Sequence, residues 1–231
     1  MSRWLYPFER QALWQRRRRL AIVLLVGFVV LSLLDRSLYH WLFAGAGLEL
    51  DAIDAVRRSQ EGKDAVAALR TAGYLPAWIA VGAALLIAAR PWRREGLKGD
   101  GARRAWGGLL VILSAALAGG VADAIKPVIG RVRPMFSDGR HLFWRVEGIP
   151  DDRISYGMAS SHAAVAFGAA FAILFLYGRP GWVALAIAAG CGVTRMMSGA
   201  HFATDVYVAA VLGYAFARLL VPREQEGLLL P

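Results

Sequence analysis

The chain has 231 residues, of which 57% are apolar and 19% charged, and its formal net charge is +10. Soluble domains are usually about one-quarter charged; here the basic residues gather between apolar runs, as in cytoplasmic loops facing anionic lipid, which argues against a nucleic-acid partner. The single cysteine, Cys191, excludes an internal disulfide and a cysteine-based zinc site, and its place inside an apolar run predicts a small buried packing residue.

Residues 1–19 end in four arginines, Arg16 to Arg19. Apolar residues from Leu20 to Leu34, then Asp35 and Arg36, then a second apolar piece to Phe43 predict a first membrane helix over about 20–43. A cleavable leader ending near Ala44-Gly45-Ala46 would be shorter and would not carry the Asp35-Arg36 pair. Residues 48–73 are amphipathic, with Ile53, Val56, Val66 and Leu69 at helical spacings broken by Gly62, and predict short helices lying on the membrane surface.

Further apolar runs at about 74–89, 105–126, 159–177, 181–197 and 202–221 complete the expected count. They are separated by a basic loop over 90–104, a polar loop over 127–158, and short breaks at Gly178–Gly181 and Ser198-Gly199. The expectation is an all-α bundle of six transmembrane helices forming one domain over 1–231, although several runs fall short of the ~20 residues a span needs. Trp4, Trp14, Trp41, Trp92 and Trp106 sit near the proposed boundaries, as an aromatic belt would.

Six spans place both termini on one side. The first 19 residues carry six Lys/Arg against one Glu, loop 90–104 carries six against two acids, and segment 45–73 carries four against five. By the positive-inside rule the first two are cytoplasmic and the third is outside. Loop 127–158 and the Ser198-Gly199 turn then fall on the outer face, the periplasmic side of a bacterial inner membrane.

Three polar groups meet at those outer ends. The first is Lys126-Pro-Val-Ile-Gly-Arg-Val-Arg133-Pro134, the second Ala159-Ser160-Ser161-His162, and the third Thr194-Arg195 followed by His201 and Asp205. If Lys126, Arg133, Arg195 and Asp205 faced lipid, the cost would be on the order of 10 kcal/mol. They are therefore expected to face one another or a wet cavity, where three cations and one acid call for a bound anion.

His201 and Asp205 are four apart and stack on one helical face. The acid fixes the imidazole tautomer and frees the other nitrogen to attack. His162, just inside a helix start that Ser160 suits as cap, is placed to protonate a leaving oxygen. That helix start also offers N–H groups to a phosphate. Lys126, Arg133 and Arg195 can share the phosphate oxygens, the arginines with fork geometry that a lysine lacks. Arg131 reads as a headgroup contact, Asp35-Arg36 as a local ion pair, and His40 and His141 as structural.

The series Lys-x6-Arg-Pro, x-Ser-x-His and Arg-x5-His-x3-Asp resembles the type 2 phosphatidate phosphatase superfamily of lipid phosphate phosphatases, bacterial acid phosphatases and vanadate-dependent haloperoxidases. The resemblance covers residues 126–205 and the six-helix layout. It implies a phosphohistidine on His201, oriented by Asp205, with His162 as general acid. It also implies a phosphate or vanadate held by Lys126, Arg133, Ser160, Arg195 and the Ser161 backbone N–H, with no metal and no cofactor.

Where the family usually has Pro-Ser-Gly-His, this chain has Ala159-Ser160-Ser161-His162, a change expected to alter the pocket or narrow its substrates. The expected substrate is a membrane lipid phosphate, polyprenyl diphosphate first by family analogy, with lipid A phosphate, phosphatidylglycerol phosphate and phosphatidate open. Rival readings are a lipid phosphotransferase and a non-catalytic lipid-binding or transport protein. A haloperoxidase fits poorly with so hydrophobic a chain.

Overall fold

The structure, a computed structural model, describes residues 7–44, 60–89, 100–144, 146–149 and 155–221. Its helices are α1 (Pro7–Tyr39, continued by a π turn His40–Ala44), α2 (Gln60–Thr71), α3 (Leu75–Ala89), α4 (Asp100–Ala124), α5 (Lys126–Ile129), α6 (Pro134–Ser137), α7 (Ser161–Tyr177), α8 (Pro180–Met197) and α9 (Ala203–Leu220). Among the described residues there is no strand, only isolated bridges pairing Arg131 with Phe143 and Val132 with Tyr156. The all-α expectation holds. Residues 45–59, including Ile53 and Val56, and most of the basic loop 90–104 lie outside the described residues.

Among the described residues, three helical stretches are long and apolar enough to cross a membrane: Trp14–Phe43, Trp106–Ile129 and Ala203–Leu220. A fourth is added if α2 and α3, bent by 68° at their junction, count as one broken span. The α7 helix is apolar, but at 17 residues it reaches only about 25 Å. Large apolar side chains point outward, with Leu33 78% and Val23 65% exposed. A surface of that kind is stable in lipid and not in water, and the chain is an integral membrane protein.

Small residues set the packing. Helix α7 lies at the centre, with Ala163, Ala164, Ala166, Ala169, Ala170 and Ala172 fully buried, so its neighbours approach closely, as lipid-embedded helices must when dispersion replaces the hydrophobic drive. At Gly168 a Cβ would lie 2.6 Å from the Ser114 carbonyl oxygen of α4, and the Ser114 hydroxyl donates to the Gly168 carbonyl at 2.8 Å. At Gly213 of α9 a Cβ would lie 2.7 Å from the Gly168 nitrogen. Three helices thus touch almost backbone to backbone at one level.

The loop between α4 and α7 is built by turn chemistry. Pro127 and Pro134 start the short helices α5 and α6, where a missing N–H costs nothing. Gly130 ends α5 at φ +61, a left-handed conformation suited to glycine, and the Trp144 indole covers it so closely that a Cβ would meet the ring at 2.0 Å. This turn aims Arg131 and Arg133 inward.

Two glycines of α4 and α7 distinguish packing from propensity. Gly168→Ala should lower the thermal midpoint of the detergent-purified protein, with overpacking costing about 1–3 kcal/mol. Gly120→Ala, where nothing lies within 4 Å of the added methyl, should leave the midpoint unchanged or raise it. Equal responses would contradict the close approach.

Candidate active site

The three polar groups converge. A Ser160 N–H donates to the Asp205 carbonyl at 3.2 Å, joining the start of α7 to the first turn of α9. Met135 N–H donates to Gly199 O at 3.0 Å and Gly157 N–H to Arg131 O at 2.7 Å, which splices the α4–α7 loop onto the α8–α9 turn and onto itself. His162 feels the charges of Arg195, His201 and Lys126, and His201 those of Arg195 and Arg133. These side chains are thus near enough to act on one another's charge.

Each predicted site residue has a defined seat. Ser160 caps α7, its hydroxyl accepting from Ala163 N–H at 3.4 Å. Lys126 Nζ donates to Asp123 at 2.7 Å and to Ser161 Oγ at 3.0 Å. The serine at the family's usual glycine therefore holds the lysine against α7. Arg133 Nε donates to the Tyr156 carbonyl at 3.3 Å. Arg195 is buried near the end of α8, and its Nε has no hydrogen-bond partner. The His162 ring lies edge-on to Tyr74 at 5.0 Å, with Nε2 buried and unpartnered. Thr194 spends its hydroxyl on the Cys191 carbonyl, and Cys191 is buried and free, as expected.

His201 Nδ1 lies 3.7 Å from Asp205 Oδ2, too long for a direct hydrogen bond, and Nδ1 has no other partner. That carboxylate oxygen accepts instead from Phe202 N–H at 2.9 Å, capping α9. Asp205 is thus locked beside the imidazole, within the slack usual before a ligand tightens a site.

The structure corrects the expected roles of Asp35 and Arg131. Arg131 is 3% exposed and is not a headgroup contact. Its Nη2 donates to Asp35 at 2.8 Å and its Nη1 to Asp205 at 2.9 Å and to the Thr204 hydroxyl. Asp35 does not pair with Arg36, which is exposed. It accepts from Thr204 N–H at 3.0 Å and from the Thr204 hydroxyl, and His141 Nε2 lies 3.3 Å away. The guanidinium also stacks on Phe202 at 4.1 Å. The only sequence signal for this cluster is the cost of an acid in an apolar run.

Beside His162 a cleft of about 380 Å³ runs between the α2–α3 corner, α4 and α7, walled by Gly73, Tyr74, Gly119, Gly120 and Ser161. Gly73 is required there, since its Cβ would meet His162 Cβ at 2.7 Å.

Residues 107–226, just over half of the chain, match the PAP2 superfamily, and the chain belongs to that family. It is 35% identical over 116 residues to a lipid A 1-phosphatase of Rhizobium johnstonii, a match covering 49% of this chain and 46% of that protein. It is 31% identical over 140 residues to a lipid A 1-phosphatase of Porphyromonas gingivalis (58% and 27%). It is also 27% identical over 104 residues to the bacitracin transport permease protein BcrC of Bacillus licheniformis (45% and 51%). The chain spans about half, or less, of the length of these relatives. In fold it resembles the transmembrane PAP2 type phosphatidylglycerolphosphate phosphatase of Bacillus subtilis, with a TM-score of 0.50, 21% identity and coverage of 86% of this chain and 92% of that one.

Two measurements probe this cluster. Arg131→Leu removes the cation between two buried carboxylates and should cost about 3–5 kcal/mol of stability; a loss below about 1 kcal/mol would show that the guanidinium is not the tie. His201 responds to pH. Burial pushes its imidazole below the ordinary 6.5, with Arg195 and Arg133 adding to the shift and Asp205 opposing it. The folded value lies below the unfolded one, so the unfolded chain binds more protons as pH falls through 6.5, and stability falls with it. The thermal midpoint should drop from about pH 7.5 to about pH 5, and His201→Asn should remove part of the drop. A midpoint flat across that window would contradict a buried neutral imidazole.

Proposed function

We propose that the chain is a six-span lipid phosphatase of the bacterial inner membrane, with its site on the periplasmic face and both termini in the cytoplasm. The supporting observation is that Lys126 and Arg195 act on the charge of His162, and Arg133 and Arg195 on that of His201, with a cleft beside His162. His201 Nε2 attacks phosphorus as the bond to the leaving oxygen breaks, and His162 passes that oxygen a proton. Water then attacks the phosphohistidine, His162 takes its proton, the P–N bond breaks and phosphate leaves. The Ser161 N–H and the three cations hold the equatorial oxygens, and the lipid lies in the cleft.

Asp205 stabilises the positive ring of the phosphohistidine. Arg131 would cancel that acid if it stood alone. Asp35 shares the guanidinium, so two carboxylates flank one cation and a net negative charge remains next to His201. The mechanism uses no metal, and polyprenyl diphosphate is the favoured substrate. A non-catalytic carrier is the second reading, favoured by the match to a relative named a transport permease.

Phosphate release from lipid phosphates by the purified protein distinguishes these readings. His201→Ala should reduce release by roughly four to six orders of magnitude, vanadate should inhibit, and chelators should have no effect. Undiminished release by His201→Ala would exclude the phosphohistidine route, and loss in a chelator restored by a divalent metal would overturn the metal-free one.

A further inference from the structure

Next to the phosphate chamber lies a second basic cleft that the proposed mechanism leaves unused. It measures about 360 Å³ and is walled by Lys63 and Arg70 of α2 and by Thr194, Met197 and Ser198 at the end of α8. Lys63 and Arg70 are seven apart and share one helical face. Both are exposed, and neither has an acidic partner among the described residues.

The backbone around Arg70 is held on both sides. Leu69 packs on Gly190 of α8, where a Cβ would meet its side chain at 2.8 Å, and Gly73 is wedged against His162. Trp78 Nε1 donates to the Ala72 carbonyl at 2.7 Å. Arg70 thus rises from an anchored segment, lines the cleft together with Thr194, and is close enough to His162 and Arg195 to act on the charge of both. Two further cations beside three raise the local positive charge, which favours an anion carrying more than one phosphate's charge in the space between them.

We infer that Arg70, assisted by Lys63, forms a second anion subsite that takes the non-reacting phosphate of a lipid diphosphate while the first phosphate sits at His201. The inference rests on the phosphatase reading and narrows its substrate class. Attack on the terminal phosphorus forms the His201 P–N bond, breaks the P–O bond to the bridging oxygen and makes a lipid monophosphate the leaving group. Arg70 would hold that departing phosphate, and His162 would protonate its bridging oxygen.

The test compares farnesyl diphosphate with farnesyl monophosphate, using the full chain in detergent. Arg70→Ala should lower kcat/KM for the diphosphate by roughly 10- to 100-fold and leave the monophosphate within about threefold. Arg70→Lys should restore part of the loss, and Lys63→Ala should shift the same ratio less. Equal losses on both substrates, or none, would overturn the subsite; a lower thermal midpoint with unchanged selectivity would show that Arg70 merely complements the α8 C-terminus.

If the wild type hydrolyses neither substrate, the phosphatase reading passes to the wider lipid phosphates and ligand protection decides the subsite alone. Pyrophosphate should then raise the thermal midpoint more than phosphate in the wild type and equally in Arg70→Ala; an unchanged preference would overturn the subsite. Two phosphate ions bound per wild-type chain, one of them lost in Arg70→Ala, would show that the cleft takes a separate anion and would overturn the diphosphate assignment.

Discussion

One buried guanidinium holds the functional end of the bundle together. Arg131 reaches Asp35 of α1 and Asp205 of α9 at once, and all three groups are nearly fully excluded from solvent. Charges so buried are tolerated only when paired and saturated with hydrogen bonds, and Thr204 and His141 supply additional contacts to Asp35. The network fixes the first turn of α9, and with it the carboxylate beside His201. It also seats α1, whose apolar stretch is hardly buried at all and which the Tyr207 hydroxyl of α9 holds as well by donating to the Leu24 carbonyl.

Close packing does the rest of the positioning. Buried alanines and glycines bring α4, α7 and α9 to near contact, so His162 and Asp205, in the first turns of α7 and α9, and Lys126, at the start of α5 just beyond α4, have little room to drift. Close packing of this sort suits the positioning that the proposed chemistry requires. On the other flank the α2–α3 corner grips the His162 ring between Gly73 and Tyr74, which makes the amphipathic segment a wall of the chamber.

Much of this was legible in the sequence, for identifiable reasons. Lys126, Arg133, Arg195 and Asp205 stood out because charge in apolar surroundings is costly, His201 because it lies one helical turn from Asp205, and His162 because it lies just inside a helix start. The all-helical class followed from the apolar runs. The roles of Asp35 and Arg131 were not legible, because Asp35 lies beside Arg36 in the chain and 96 residues from its real partner; local reading favours the neighbour. Hydropathy also blurs the span count, since α7 is short and α8 carries Arg195 and several glycines. Amphipathicity suggested short surface helices over 48–73; within that segment Leu69 packs on Gly190 of α8, a tertiary contact that periodicity does not reveal.

The long reach of the Asp35 pairing has a consequence for biosynthesis. A ribosome adding about 5–20 residues per second reaches Arg131 roughly 5–20 s after Asp35, and Thr204 lies 169 residues downstream. The first helix therefore enters the bilayer with a carboxyl that has no counter-ion, near the helix end where headgroups and water can still solvate it. Its final seat is settled only when the last span arrives, so maturation of the first and last helices is a single late event during translation.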